Sequence, residues 1–269
     1  MTDRSLLSES ARLLRQRMEM GEREIFLDGM TREEALELVA GAGKPRSPSA
    51  PETSIPLAEA GRSSTVRAAV RLPAGTGELT VLPDSYDEVR AIAMTCTRCG
   101  LAERRTQVVF SDGPRDARLM VVGEAPGRNE DETGLPFVGA AGKYLDLLLG
   151  TVGLSRRESV YIANVVKCRP PGNRDPKPEE IEACSPFLKK QIELVRPQAL
   201  LAVGSFSAQL LTGREKTALG KLRGKVHRYH GVPLVVTYHP AALLRNAKWT
   251  RSFWDDLQLL RSVLDGESD

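Results

Sequence analysis

From about residue 79 onward, short apolar runs alternate with longer stretches whose apolar residues recur every three to four positions. Residues 119–122, with β-branched members, and the apolar runs 160–166, 199–203 and 234–237 predict buried strands. Between them, residues 143–149, 178–195, 205–211 and 249–264 carry a helical period, and residues 86–94 form a further predicted helix ahead of the first strand. Strand alternating with helix predicts an α/β layer fold with a mostly parallel central sheet. Upstream the pattern changes. Leu6, Leu7, Ala11, Leu14 and Met18 fall at roughly helical spacing, and Thr31-Arg32-Glu33-Glu34 matches a capping box ahead of Ala35, Leu36, Leu38 and Val39. The first 40 residues therefore read as a short helical extension. Residues 41–78, rich in Gly, Pro, Ser, Ala and Arg without an apolar period, read as a flexible linker, and residues 79–269 as the globular domain. Arg46, Arg62, Arg67 and Arg71 in the linker would suit a DNA-tracking arm, but scattered arginines are common in plain linkers.

Composition narrows the class. A chain of 269 residues can bury a full core with a small appendage. No run is long enough to cross a membrane, and the N-terminus has no apolar signal core, so the expectation is a cytoplasmic protein with no membrane partner. A formal charge of +3 permits nucleic acid as a partner without requiring it.

Four cysteines are the first sign of chemistry: Cys96 and Cys99 in a C-x-x-C, then Cys168 and Cys184. In a reducing compartment four thiols point to a metal site more readily than to disulfides. Zinc and an iron–sulfur cluster both remain open. The wide second pair, unlike the two tight knuckles of a zinc ribbon, tilts the choice toward a [4Fe–4S] centre.

Three further features sit at strand ends. The first strand runs into Gly123-Glu124-Ala125-Pro126-Gly127, where Gly and Pro force a turn and leave the Glu124 carboxylate at the carboxyl edge of the sheet. Ligands of open α/β sheets bind in that crevice. Glu130 and Asp131 follow, and then Leu135-Pro136-Phe137-Val138-Gly139-Ala140-Ala141-Gly142, an aromatic residue among small ones. The second strand carries Asn164 near its end, where a buried amide needs partners and can read a planar heterocycle. The last strand is followed by His239-Pro240-Ala241-Ala242-Leu243-Leu244-Arg245. His227 and His230 precede that strand in a polar stretch and read as structural.

Taken in order with the interleaved cysteines, Gly123-Glu124-Ala125-Pro126-Gly127, Glu130-Asp131, Pro136-Phe137-Val138-Gly139, Asn164 and His239-Pro240-Ala241 resemble the family 4, iron–sulfur uracil-DNA glycosylases over about residues 90–264. The resemblance implies a three-layer α/β/α fold around a four-stranded parallel sheet. It also implies a structural [4Fe–4S] cluster on Cys96, Cys99, Cys168 and Cys184. The implied activity is hydrolysis of the N-glycosidic bond of deoxyuridine in single- or double-stranded DNA. In that reading Glu124 and His239 are catalytic, and Ala125, Glu130, Phe137 and Asn164 bind the base. Leu243, Leu244 and Arg245 wedge into the gap it leaves, and Lys143, Arg169 and Lys248 meet phosphates. Covalent-binding relatives carry a histidine in a basic loop; the matching segment here, Arg169-Pro170-Pro171-Gly172-Asn173-Arg174-Asp175-Pro176, has none, which favours turnover. The expected state is a monomer associated with the nucleoid, with residues 1–40 available to a protein partner. The competing readings are a lesion-binding or replication-accessory protein of the same fold, and a glycosylase for another deaminated base such as hypoxanthine.

Overall fold

The computed structural model describes residues 82–266, so the expected N-terminal helices and linker lie outside the described residues. The chain enters through helix α1 (Tyr86–Met94), capped by the Ser85 side chain, and passes Cys96 and Cys99 before a 3-10 turn at Gly100–Glu103. Strand β1 (Leu119–Gly123) then leads through two helices, α2 (Arg128–Thr133) and α3 (Ala140–Gly150), to β2 (Val160–Asn164). Helix α4 (Pro178–Val195) starts on proline, whose fixed φ suits a first turn, and Glu180 reaches back to its N-cap. Beyond it come β3 (Ala199–Val203), α5 (Ser205–Thr212), α6 (Leu219–Leu222), β4 (Val226–Tyr229), β5 (Val232–Thr237), α7 (Pro240–Arg245) and α8 (Thr250–Leu264).

The strands form one sheet in the order β2-β1-β3-β5-β4. β2, β1, β3 and β5 run parallel, and their last residues stand level, Gly123 beside Asn164 and Val203 beside Thr237. Four parallel strands agree with the resemblance; the fifth, β4, pairs antiparallel with β5 at the edge and corrects the expected count. It escapes the apolar pattern because none of its four residues is buried. His230 and Gly231, both at positive φ, turn the hairpin between β4 and β5. His227 Nε2 lies 2.7 Å from the Leu222 carbonyl, in keeping with a structural role.

Strands β1, β2 and β3 are buried along their whole length and β5 from Leu234 to Thr237, and alternate residues feed two cores. Met120, Val122, Tyr161, Ala163, Leu200, Ala202, Leu234 and Val236 pack on one face against α1, α4 and α5. Leu119, Val121, Val160, Ile162, Leu201, Val203 and Val235 pack on the other against α3, α7 and α8. This is the three-layer arrangement, and it brings every parallel strand's carboxyl end to one edge.

Candidate active site

At that edge lies a cleft of about 550 Å³. Glu124, Ala125, Glu130, Phe137, Asn164, His239 and Arg245 all line it. Six of them are the residues expected to act on the base, drawn from three strand ends, helix α2 and the loop before α3.

Asn164 is the last residue of β2 and is 1 % exposed. Its backbone carbonyl accepts a bond from Lys167 Nζ at 2.7 Å, but its side-chain oxygen Oδ1 is buried without any partner. An unpaired buried carbonyl costs about 1–3 kcal/mol, so such an atom marks a place where a donor is missing. Gly123, the neighbouring strand end, makes room for it: a Cβ there would run into Asn164 Oδ1 and the Phe137 ring. The Phe137 ring thus faces the same small space. Its backbone is left-handed, φ 53°, a conformation costly for an aromatic residue.

His239 follows β5 and caps α7, where its Nδ1 accepts the Ala241 N–H at 3.2 Å. That bond places the ring proton on Nε2. Burial, aided by the nearby Arg245 charge, lowers its pKa to about 4, so the imidazole is neutral and a donor at physiological pH. Its ring stacks on Phe137 with centroids 5.5 Å apart. Gly204, at φ 98°, packs against it with no side chain of its own. Glu124 lies across the cleft. Burial, with the Asp175 carboxylate adding to it, raises its pKa to about 7.

The two acids on α2 both accept bonds from backbone N–H groups. Glu130 Oε1 accepts the Val138 and Gly139 N–H groups at 2.9 and 2.8 Å, and Oε2 accepts Gly127 N–H at 3.1 Å. The expected base-binding role of Glu130 is thereby corrected: it lines the cleft, but its oxygens are spent on holding the loop. Asp131, 3 % exposed, accepts the Thr106 N–H at 2.9 Å and ties down the segment after the first cysteines. The wedge expectation narrows as well. Leu243 is 2 % exposed within the core beneath α3 and α8, whereas Leu244 is 52 % exposed and Arg245 borders the cleft. A helix sends successive side chains in different directions, which the sequence of two leucines cannot show. Arg128, at the start of α2, and Asn173 and Arg174 also border the cleft; for the latter two the basic loop 169–174 is the signal in the sequence.

Behind Asn164 the same strand leads to the cysteines. Cys96, Cys99, Cys168 and Cys184 line one small cavity with Arg98, Arg105 and Lys167. Arg105 donates to Cys168 Sγ at 3.4 Å, and the Lys167 N–H to Cys184 Sγ at 3.2 Å. Burial pushes the Cys184 thiol up to about 12 and raises Cys99 and Cys168 as well. Lys167 itself is 2 % exposed; its ammonium bonds Gln191 Oε1 at 2.6 Å, and burial lowers its pKa to about 8 while the nearby thiols oppose that. Among the described residues no three Cys, His, Asp or Glu side chains converge as a single ion requires. Thiols spread around a cavity, with the Arg105 guanidinium and a backbone N–H aimed at two of them, fit an anionic polynuclear cluster better than one zinc ion.

A family model, the uracil DNA glycosylase superfamily, matches residues 110–258 of the chain. A type-4 uracil-DNA glycosylase of Archaeoglobus fulgidus is 42 % identical over 182 residues, 65 % of this chain and 91 % of that protein. One of Thermotoga maritima is 43 % identical over 175 residues, again 91 % of its length. A type-5 uracil-DNA glycosylase of Pyrobaculum aerophilum is 37 % identical over 147 residues, 49 % of this chain and 64 % of that protein.

Proposed function

The chain belongs to the type-4 branch of the uracil DNA glycosylase superfamily, and from that premise we propose how its cleft removes uracil from DNA. The enzyme hydrolyses the N-glycosidic bond of deoxyuridine, leaving an abasic site. A stacked base is out of reach, so the nucleotide is flipped into the cleft. There the Phe137 ring stacks on it, an interaction worth about 1–3 kcal/mol.

The unpaired Asn164 Oδ1 carries the reading. Uracil presents an N3–H donor beside the O4 acceptor, which pairs with an amide's oxygen and N–H in turn. Cytosine presents an acceptor and a donor in the opposite order and would leave both buried groups unsatisfied. As the bond from N1 to C1′ breaks, its electron pair stays with uracil and charge gathers on O2. The neutral His239 donates Nε2–H to that oxygen, and the Ala125 N–H assists. The sugar becomes cationic. Glu124, once ionised, stabilises it and holds the water that adds to C1′.

Around the cleft, Leu244 and Arg245 fill the vacated space in the duplex, and Arg128, Arg174, Lys143, Arg169 and Lys248 meet phosphates. The four cysteines would hold a [4Fe–4S] cluster that ties the loop around Cys168 to the chain near Cys96 and serves the fold. For a protein partner we look to residues 1–40, on sequence grounds alone. Among the described residues no helix is long and apolar enough to cross a membrane.

Release of uracil from a labelled single-stranded oligonucleotide tests this reading. Many turnovers on a deoxyuridine substrate with none on its deoxycytidine counterpart are expected. Equal release of both bases would remove Asn164 from its role as the reader.

A further inference from the structure

Phe137 holds a backbone conformation that its side chain does not favour, and something must hold it there. On the N–H side of the loop Glu130 does so, through Val138 and Gly139. On the carbonyl side stands Arg156, in the turn before β2, with its side chain 15 % exposed. Its Nη2 donates to the Phe137 carbonyl at 2.7 Å and its Nη1 to the Pro136 carbonyl at 3.0 Å. The guanidinium is aimed by two carboxylates: Nη1 bonds Asp112 at 3.1 Å and Nε bonds Asp146 of α3 at 2.8 Å. Asp112 is itself fixed to β2 by a two-way backbone bridge with Ile162.

These bonds restrain both peptide planes that flank the Phe137 Cα. The plane before it is held by its carbonyl, and the plane after it by its carbonyl and by the Val138 N–H. Two fixed planes leave φ and ψ of Phe137 no freedom. Gly142 completes the fit, since a Cβ there would collide with the Phe137 carbonyl. A planar fork with two separately placed nitrogens suits this task; an ammonium, a single point of charge, cannot reach two carbonyls while keeping both acids.

We propose that Arg156 is a positioning residue for uracil excision: with Glu130, it clamps Phe137 in the left-handed backbone that presents its ring to the flipped base. The inference rests on Phe137 being the stacking platform of the cleft. It extends the uracil site to an arginine that touches neither base nor DNA.

A double-mutant cycle tests it on a uracil-containing single-stranded oligonucleotide, with thermal unfolding recorded for every protein. Arg156→Lys should lower kcat/KM roughly ten- to a hundred-fold, as a slight misplacement of a positioning group does. In a Phe137→Ala background the same change should cost less than about two-fold, because the ring it positions is gone. Losses that multiply would show Arg156 acting elsewhere and overturn the proposal. An unaltered rate for Phe137→Ala alone would instead overturn the stacking role on which it rests. If Arg156→Lys fails to fold, Asp146→Asn, which unties Nε and leaves the arginine in place, takes its position in the cycle. A loss that vanishes with Phe137 supports the clamp, and a wild-type rate or a multiplying loss refutes it.

Discussion

The uracil cleft and the cysteine cavity share one stretch of chain: Asn164 closes β2 on the first, and Cys168, four residues on, lines the second. They are built in opposite ways. In the cleft, groups are held in place and left without partners: Asn164 Oδ1 is buried and unpaired, and Phe137 keeps a strained backbone. Glu124 is half-buried with its pKa raised to about 7. In the cavity, donors already point at sulfur, and the buried Lys167 ammonium bonds both Asn164 O and Gln191 Oε1. A site that waits for a transient ligand carries its unsatisfied groups openly, whereas one that holds a permanent group is organised around that group's charge. Function can be read from which polar atoms lack a partner as well as from which have one.

The sharpest way to break this contrast is to remove the donors and acceptors of the cleft. His239→Ala should lower kcat about 10²–10³-fold, the cost of losing one donor to a developing oxyanion. Its thermal unfolding should stay near wild type, and a fold-change under ten in single-turnover excision would count against the role. In the cavity the balance should reverse. Cys184→Ser should cost about 4 kcal/mol or more of stability, the scale of losing a metal ligand, and so lower Tm by about 10 °C. Differential scanning calorimetry beside visible absorbance checks this, and an unchanged Tm with bleached absorbance would argue that the centre does not support the fold.

Acidity separates Glu124 from His239. Glu124 has a folded pKa of about 7, above the ordinary 4.5. Its neutral form favours the folded state, and that contribution is lost as pH rises through about 7. In the proposed mechanism its ionised form is the one that supports the sugar cation. Excision by the free enzyme should therefore climb between about pH 6 and pH 8, and the limb should vanish in Glu124→Gln. His239, with a pKa of about 4, adds no limb in that range. A limb surviving in Glu124→Gln would assign it to another group.

The smallest expected effect lies at the rim. Leu244→Ala should leave stability within about 0.5 kcal/mol, as exposed substitutions do, while slowing excision from duplex more than from single strands. Leu243→Ala, by contrast, should cost about 2–5 kcal/mol through the cavity it opens in the core. Urea unfolding of both variants would expose any error in which leucine faces outward.

Much of this organisation is legible in the sequence. Runs 119–122 and 199–203 fall within strands because continuous apolar segments can be buried on both faces. Helix bounds at 86–94 and 178–195 coincide with Tyr86–Met94 and Pro178–Val195 because Ser85 and Pro178 mark their starts. Asn164, Glu124 and His239 stand out because polar residues at strand ends lack an ordinary explanation. What stays hidden depends on direction and on distance. Glu130 reads as a ligand group until its oxygens are seen on backbone N–H groups eight and nine residues away. Arg156 looks like one more surface charge, and its four bonds reach three separate segments. Edge strand β4, with no buried residue, has no apolar pattern to show.

The most direct measurement is single-turnover uracil excision by Asn164→Ala, run beside wild type with visible absorbance and Tm recorded on the same preparations. The expected result is a wild-type enzyme that releases uracil over many turnovers and a variant that loses most of that rate while keeping its absorbance and its Tm. Wild-type excision by Asn164→Ala would contradict the assignment of the unpaired amide as the group that reads uracil.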